Sequence, residues 1–152
     1  MIELGNHMHG HQIAKATHAV YNPHGETVIS RSENGVLYGG VVYDSYSGVS
    51  ICMHVASFRP NWMNRNLLWL VFTYPFKQLR CKVIIGRVGS NNLPALKFDT
   101  HIGFKIVATI PDAVPDGDLH ILTMHKEDCK WLNLKPRKLL FWDHLKARRE
   151  AA

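Results

Sequence analysis

His54 stands in the middle of the apolar run Ser50-Ile-Cys-Met-His-Val-Ala-Ser57. An imidazole is the side chain whose intrinsic pKa suits taking a proton near neutral pH. Period-two alternation in an extended run puts Cys52 on the same face. His54 has two readings, a general base or a hydrogen-bonded and inert imidazole turned to the other side of a sheet. For Cys52 no supporting dyad can be argued, so a covalent thiol mechanism is not the reading taken. Asp99 is a carboxyl that gives up a proton near neutrality only if its pKa is strongly raised. His7, His9 and His11 alternate, a spacing that gathers imidazoles for zinc on one face of a strand. No Cys, Asp or Glu is spaced to complete such a site, and Gly10 suggests flexibility, so the expectation is a mobile polar terminus and no metal. Trp62, Trp69, Trp131 and Trp142 offer faces on which bases stack. Trp69 lies in an apolar helix and Trp131 in the closing turn, which makes those two core residues. Trp142, among cations, is a surface for a partner or a second copy of the chain.

The elements that must position these residues follow from pattern. Residues 6 to 19 are compatible with a helix, and Asn22-Pro-His-Gly25 is turn chemistry. Runs 26–32, 36–46 and 49–58 read as strands separated by Glu33-Asn-Gly35 and Ser47-Gly48, an antiparallel meander. From Arg65 to Leu79 almost every side is apolar, as in a buried helix, with Asn64 as N-cap and Pro75 kinking the last turn. A strand at 82–88, a helix at 92–102, a strand at 105–110, a turn at 111–117 and a strand at 119–125 complete the order. Lys126 to Leu132 reads as a helical turn, and Pro136 separates it from a tail helix. A hairpin sheet joined to a crossover unit is a mixed α+β domain. The expected organisation is one domain over 1–132 and a basic tail helix over 133–152.

Bulk composition bounds the function. With 152 residues, 46% apolar and 20% charged, the chain has the profile of a single soluble domain with a sizeable core. No run approaches the ~20 apolar residues that span a bilayer, and the start shows no secretory signal. Three unevenly spaced cysteines, Cys52, Cys81 and Cys129, read as free thiols in a reducing compartment, so a cytoplasmic setting is expected. The net charge is +6. Lys135, Arg137, Lys138, Lys146, Arg148 and Arg149, set against Asp143 and Glu150, give the tail +4 and leave the body +2. A nucleic-acid role would have to rest on the tail, and the reading preferred is a solvated terminal helix.

The order of elements, with the residues they carry, resembles the GNAT superfamily of acyl-CoA N-acyltransferases over about residues 26 to 132. The resemblance rests on four pieces: Tyr38-Gly-Gly-Val-Val-Tyr43; Ser50 to Ser57 leading into the central helix; Asn92, Ala95 and Gly103-Phe104 at the family spacing; and Ile121-Leu-Thr-Met124 followed by Cys129-Lys-Trp-Leu132. Tyr74-Pro-Phe76 and the Cys-Lys-Trp-Leu ending look most like GNAT-like proteins of tailed bacteriophages.

The resemblance implies a GNAT fold, with a parallel strand pair carrying Val55 and Ile84 that splays apart. It implies acetyl-CoA as co-substrate, its pantetheine pairing like an extra strand against the Val55–Ser57 stretch. The pyrophosphate would sit on the helix N-terminus at Asn64, Arg65 and Asn66, with Arg59 and Arg65 adding charge-assisted contacts. Asn92 would contact pantetheine or cap its helix, and Phe98 would flank the thiol end. The implied reaction is direct acetyl transfer to a primary amine, with His54 as base and Asp99 where many members have a proton-donating tyrosine. Where the family's phosphate loop reads Arg/Gln-x-x-Gly-x-Gly/Ala, this chain has Phe58-Arg-Pro-Asn-Trp-Met-Asn-Arg65, without glycine. Partners are thus acetyl-CoA, an amine, and a second copy through the tail, with no membrane and no nucleic acid. The other reading is a degenerate GNAT-fold phage protein with a structural or host-binding role, acting in the host cytoplasm.

Overall fold

The structure is a computed structural model that describes residues 1–134 and 136. Its strands are β1 (Ile2–Leu4), β2 (Thr27–Glu33), β3 (Val36–Asp44), β4 (Ser50–Ser57), β5 (Val83–Gly89), β6 (Lys105–Val114) and β7 (Gly117–His125). Helices α1 (His7–Thr17), α2 (Arg65–Thr73) and α3 (Leu93–Ile102) follow β1, β4 and β5. All seven strands share one sheet in the order β1-β2-β3-β4-β5-β7-β6. Only β4 and β5 run parallel.

Local chemistry explains the elements. Asn34 and Gly35 both take positive φ, 50° and 77°, as a tight β2–β3 hairpin requires. Each helix opens on an asparagine whose side chain accepts a backbone N–H: Asn6 from His9, Asn64 from Leu67 and Asn92 from Ala95. Pro75 cannot donate to the α-helical ladder. The chain answers by widening into a π turn, Tyr74–Gln78, in which Leu79 N–H reaches Tyr74 O at 3.0 Å. Across the sheet, period-two alternation separates two cores. Ile51 and Met53 of β4 join Val41, Tyr43, Ile84 and the apolar faces of α2 and α3. Ala56 joins Val28, Val42 and the α1 residues Ile13 and Ala14 on the opposite side. No helix among the described residues is long and apolar enough to cross a membrane.

The structure corrects three expectations. His7, His9 and His11 do not form a mobile terminus: they lie on α1, where 100° per residue keeps His7 and His11 on one side and turns His9 away from them. His7 Nδ1 meets Tyr21 Oη at 2.7 Å, His11 packs edge-on to the same ring, and His9 Nδ1 meets the buried Ser30 Oγ at 2.8 Å. Gly10 supplies no flexibility either; a Cβ there would come within 2.5 Å of the Tyr21 ring. The predicted turn at 111–117 is shorter, because β6 continues to Val114 through a register shift after Ile110 and turns only at Pro115-Asp116. Strand β1, which adds three residues to the sheet edge, had no counterpart in the expected order. The tail helix, Trp142 and the tail dimer lie outside the described residues.

Candidate active site

The parallel pair β4–β5 is hydrogen-bonded over a short stretch only. Ser50 registers with Val83, Ile51 with Ile84 and Cys52 with Ile85, and the pairing stops there. Beyond that point β4 stays paired with β3 as far as Ser57, and β5 with β7 as far as Gly89. The sheet is thus split, and residues 53–57 and 86–89 line its two lips. Helix α2 follows β4 across the loop 58–64 and α3 follows β5 across residues 90–92, so each helix begins beyond the strand end at which the split opens, and both pack into the core on one face.

His54 lies just past the splitting point, on the other face. Its Nε2 is 2.9 Å from Asp44 Oδ2. Asp44 is brought there by the β3–β4 ladder, which pairs Val42 with His54 and Asp44 with Cys52. The Asp44 carboxylate can only accept, so Nε2 donates to it and the imidazole is fixed in orientation with Nδ1 turned away from Asp44. The side chain retains 11% of its surface in solvent. Cys52 sits beside this pair; burial, then Asp44, pushes its thiol up, against the pull of Arg87. A thiol held protonated is a poor nucleophile.

On the helix side, α3 turns Ala95, Phe98 and Ile102 toward the core, and the half-buried Asp99 shares that face. Burial pushes its carboxyl from the ordinary 3.8 up to about 7, so the acid form is populated at neutral pH. This shift has a stability signature. Between pH 4 and 7 the folded chain keeps a proton that the unfolded chain has lost, so stability falls as pH rises through that window. Asp99 is not fully buried, and solvent screening limits the loss to about 1–2 kcal/mol. Asp99→Asn should flatten the difference between urea midpoints at pH 5 and pH 8.

The remaining anticipated residues fall into three groups. Val55 and Ser57 line the β4 lip, and Ser57 is exposed. Asn64, Arg65 and Asn66 begin α2, with Arg59 exposed on the loop before it; the Asn64 side chain is committed to Leu67 N–H at 2.9 Å. Asn92 acts as the α3 cap, accepting from Ala95 N–H at 3.3 Å.

Sequence reasoning did not assign Trp62. Counted from Arg59, Trp62 and Asn64 stand at the two small positions of the loop pattern quoted above. The buried indole crosses from Gly39 of β3, where a Cβ would meet it at 2.5 Å, to the Phe98 ring of α3, 5.7 Å between centroids. Arg31 holds the loop there by donating to Asn61 O at 2.8 Å and Trp62 O at 3.0 Å. The ring therefore lies over the end of β4 at the mouth of the split. Moving the indole out of this place would cost about 1.5–3 kcal/mol of lost burial. Trp62→Ala should lower thermal stability; on the coenzyme site that the resemblance implies it should also tighten acetyl-CoA binding about tenfold by titration calorimetry, and weaker binding would show that the indole supports the ligand.

No protein-family model matches the chain, and no curated protein matches it by sequence. Solved structures do match. The chain is similar to yncA from Salmonella typhimurium, solved with its cofactor acetyl-CoA (17% identity, TM-score 0.60, covering 82% of this chain and 92% of that one). It is similar to a GNAT-family protein from Desulfovibrio desulfuricans (11%, 0.59, 82% and 99%). A variant of the spermidine N-acetyltransferase SpeG from Vibrio cholerae also matches (18%, 0.57, 71% and 67%). The chain has the GNAT acetyltransferase fold.

Proposed function

We propose that this protein is an N-acetyltransferase that moves an acetyl group from acetyl-CoA to a primary amine by direct attack in a ternary complex. One observation carries the reading: a split sheet with two helices beginning beyond the strand ends at which it opens and an Asp-oriented histidine on the opposite face. The coenzyme would enter from the helix side. The open β4 lip at Val55–Ser57 offers it backbone partners, the start of α2 with Arg59 and Arg65 offers its phosphates positive potential, and Phe98 flanks its thiol end. Acetyl-CoA supplies the activated acetyl group. The amine would approach from the α1 side.

His54 Nδ1 accepts the amine proton as the N–C bond forms, and Asp44 stabilises the resulting imidazolium. As the C–S bond breaks, Asp99 in its acid form gives its proton to the departing sulfur. The two groups stand on opposite faces of the split, which keeps the proton acceptor and the proton donor apart. Incubation with acetyl-CoA and a panel of amines, followed by mass spectrometry, tests this: an amine heavier by one acetyl group is expected. Absence of product from every amine, together with no coenzyme-dependent rise in melting temperature, would set the reading aside.

Trp62 favours a second reading, a GNAT fold that keeps its sheet and no longer holds coenzyme. The bacteriophage-like Tyr74-Pro-Phe76 and Cys129 to Leu132 segments go with it, in a structural or host-binding role. Under that reading Trp62→Ala gains no affinity for acetyl-CoA.

A further inference from the structure

On the face that carries His54, the second lip of the split bears one cation. Cys52 and Ile85 are the last registered pair of β4 and β5. His54 lies two residues beyond Cys52 and Arg87 two beyond Ile85, so alternation brings both side chains to the same face, on opposite lips. The Arg87 side chain is exposed, and among the described residues no hydrogen bond or ion pair occupies its guanidinium. Asp44, the carboxylate of this neighbourhood, is taken by His54. Both Asp44 and Arg87 act on the Cys52 thiol, which places them around one spot. Helix α1 lies over β2, β3 and β4, and the half-buried Ile85 and Ile121 beside Arg87 form an apolar floor. An arginine on such a floor is a fork for carboxylate or phosphate oxygens.

Resting on the acetyltransferase reading, we infer that the acceptor is an amine carrying an anionic group, a carboxylate or a phosphate, which Arg87 holds while the amine lies against His54. Arg87 is then a specificity residue. It fixes the far end of the acceptor, and the span between the two lips sets how far apart amine and anion lie.

The test compares matched acceptors: glycine against glycinamide, and glucosamine 6-phosphate against glucosamine. Thiol release from acetyl-CoA is the readout. The charged member of at least one pair should have a KM roughly tenfold or more below its neutral partner, as a charge-assisted hydrogen bond gives. Which pair responds identifies carboxylate or phosphate as the anion. Arg87→Met should remove that advantage with kcat within about twofold, Arg87→Lys should restore part of it, and neither should move the neutral acceptors. Equal KM values within both pairs, or an Arg87→Met variant that keeps the advantage, would overturn the inference while leaving acetyl transfer intact. A second readout needs no turnover. Millimolar glucosamine 6-phosphate or glycine should raise the melting temperature of the wild type and not of Arg87→Met. A rise without any acetyl transfer keeps the anion site and removes the enzyme reading; no rise and no charged-acceptor preference removes the anion site.

Discussion

His54→Ala should lower kcat/KM for acetyl transfer by about 10²- to 10⁴-fold, the range a positioned general base contributes. The substitution removes the proposed acceptor of the amine proton and strands Asp44, whose Oδ2 is 2.9 Å from Nε2 in the native chain. A partner left behind in this way costs about 1–3 kcal/mol of stability, so the loss must be read beside a melting curve. Two controls separate catalysis from folding. Asp44→Asn leaves an oxygen that still accepts the Nε2 proton but no longer offsets the charge of an imidazolium, so it should slow the reaction less than His54→Ala does. The acid limb of the kcat/KM profile should also disappear in His54→Ala. An unchanged profile would remove His54 as the base even if the rate fell.

Gly40→Val should be the most damaging change to the fold. Gly39 and Gly40 face opposite sides of β3, and each lies under a neighbour that needs its missing side chain. At Gly39 the neighbour is the Trp62 ring. At Gly40 a Cβ would come within 2.7 Å of Ile13 Cδ1 and of Ile29 O, and 2.9 Å from Ser30 Cα. The Ile13 contact is a side-chain end that can turn away. The other two are backbone atoms of β2, held by the β2–β3 ladder at Ile29↔Val41 and Ser30↔Gly40. Overpacking typically costs 1–3 kcal/mol, and a clash with backbone on one side and helix on the other should exceed about 3 kcal/mol. The urea midpoint should drop accordingly, by far- and near-ultraviolet dichroism alike. Ile13→Ala in the same chain should recover only a minor part of the loss, since it relieves only the side-chain contact; full recovery would place the strain in α1 packing alone.

The sequence disclosed some of this architecture and hid the rest for physical reasons. The β2–β3 hairpin was legible because Asn34-Gly35 has one favoured conformation. Asn92 was legible as a cap because capping is local, spanning three residues. Asp44 was reachable in principle, since an antiparallel meander fixes which residues of 36–44 face 50–57, but it was not singled out. Trp62 was legible only as a bulky residue where the loop pattern has glycine; its neighbours, Gly39 and Phe98, were not, because only the closed tertiary structure brings a loop, a strand and a helix together. The histidines at 7, 9 and 11 misled because alternation means one face in a strand, whereas in a helix the middle residue turns away from the other two. Strand β1 escaped because three residues carry no period. Arg87 was passed over in an apolar run, and its place opposite His54 depends on where the parallel ladder ends, which no local pattern encodes.

The claim beneath all of this is that the split between β4 and β5 holds acetyl-CoA. Titration calorimetry of acetyl-CoA into the wild-type chain addresses it most directly, with melting curves recorded in the same buffer. The account predicts one binding event per chain, a melting temperature that rises with coenzyme concentration, and tighter binding by Trp62→Ala. Neither heat nor a melting shift at millimolar acetyl-CoA, in the wild type and in Trp62→Ala alike, would contradict it.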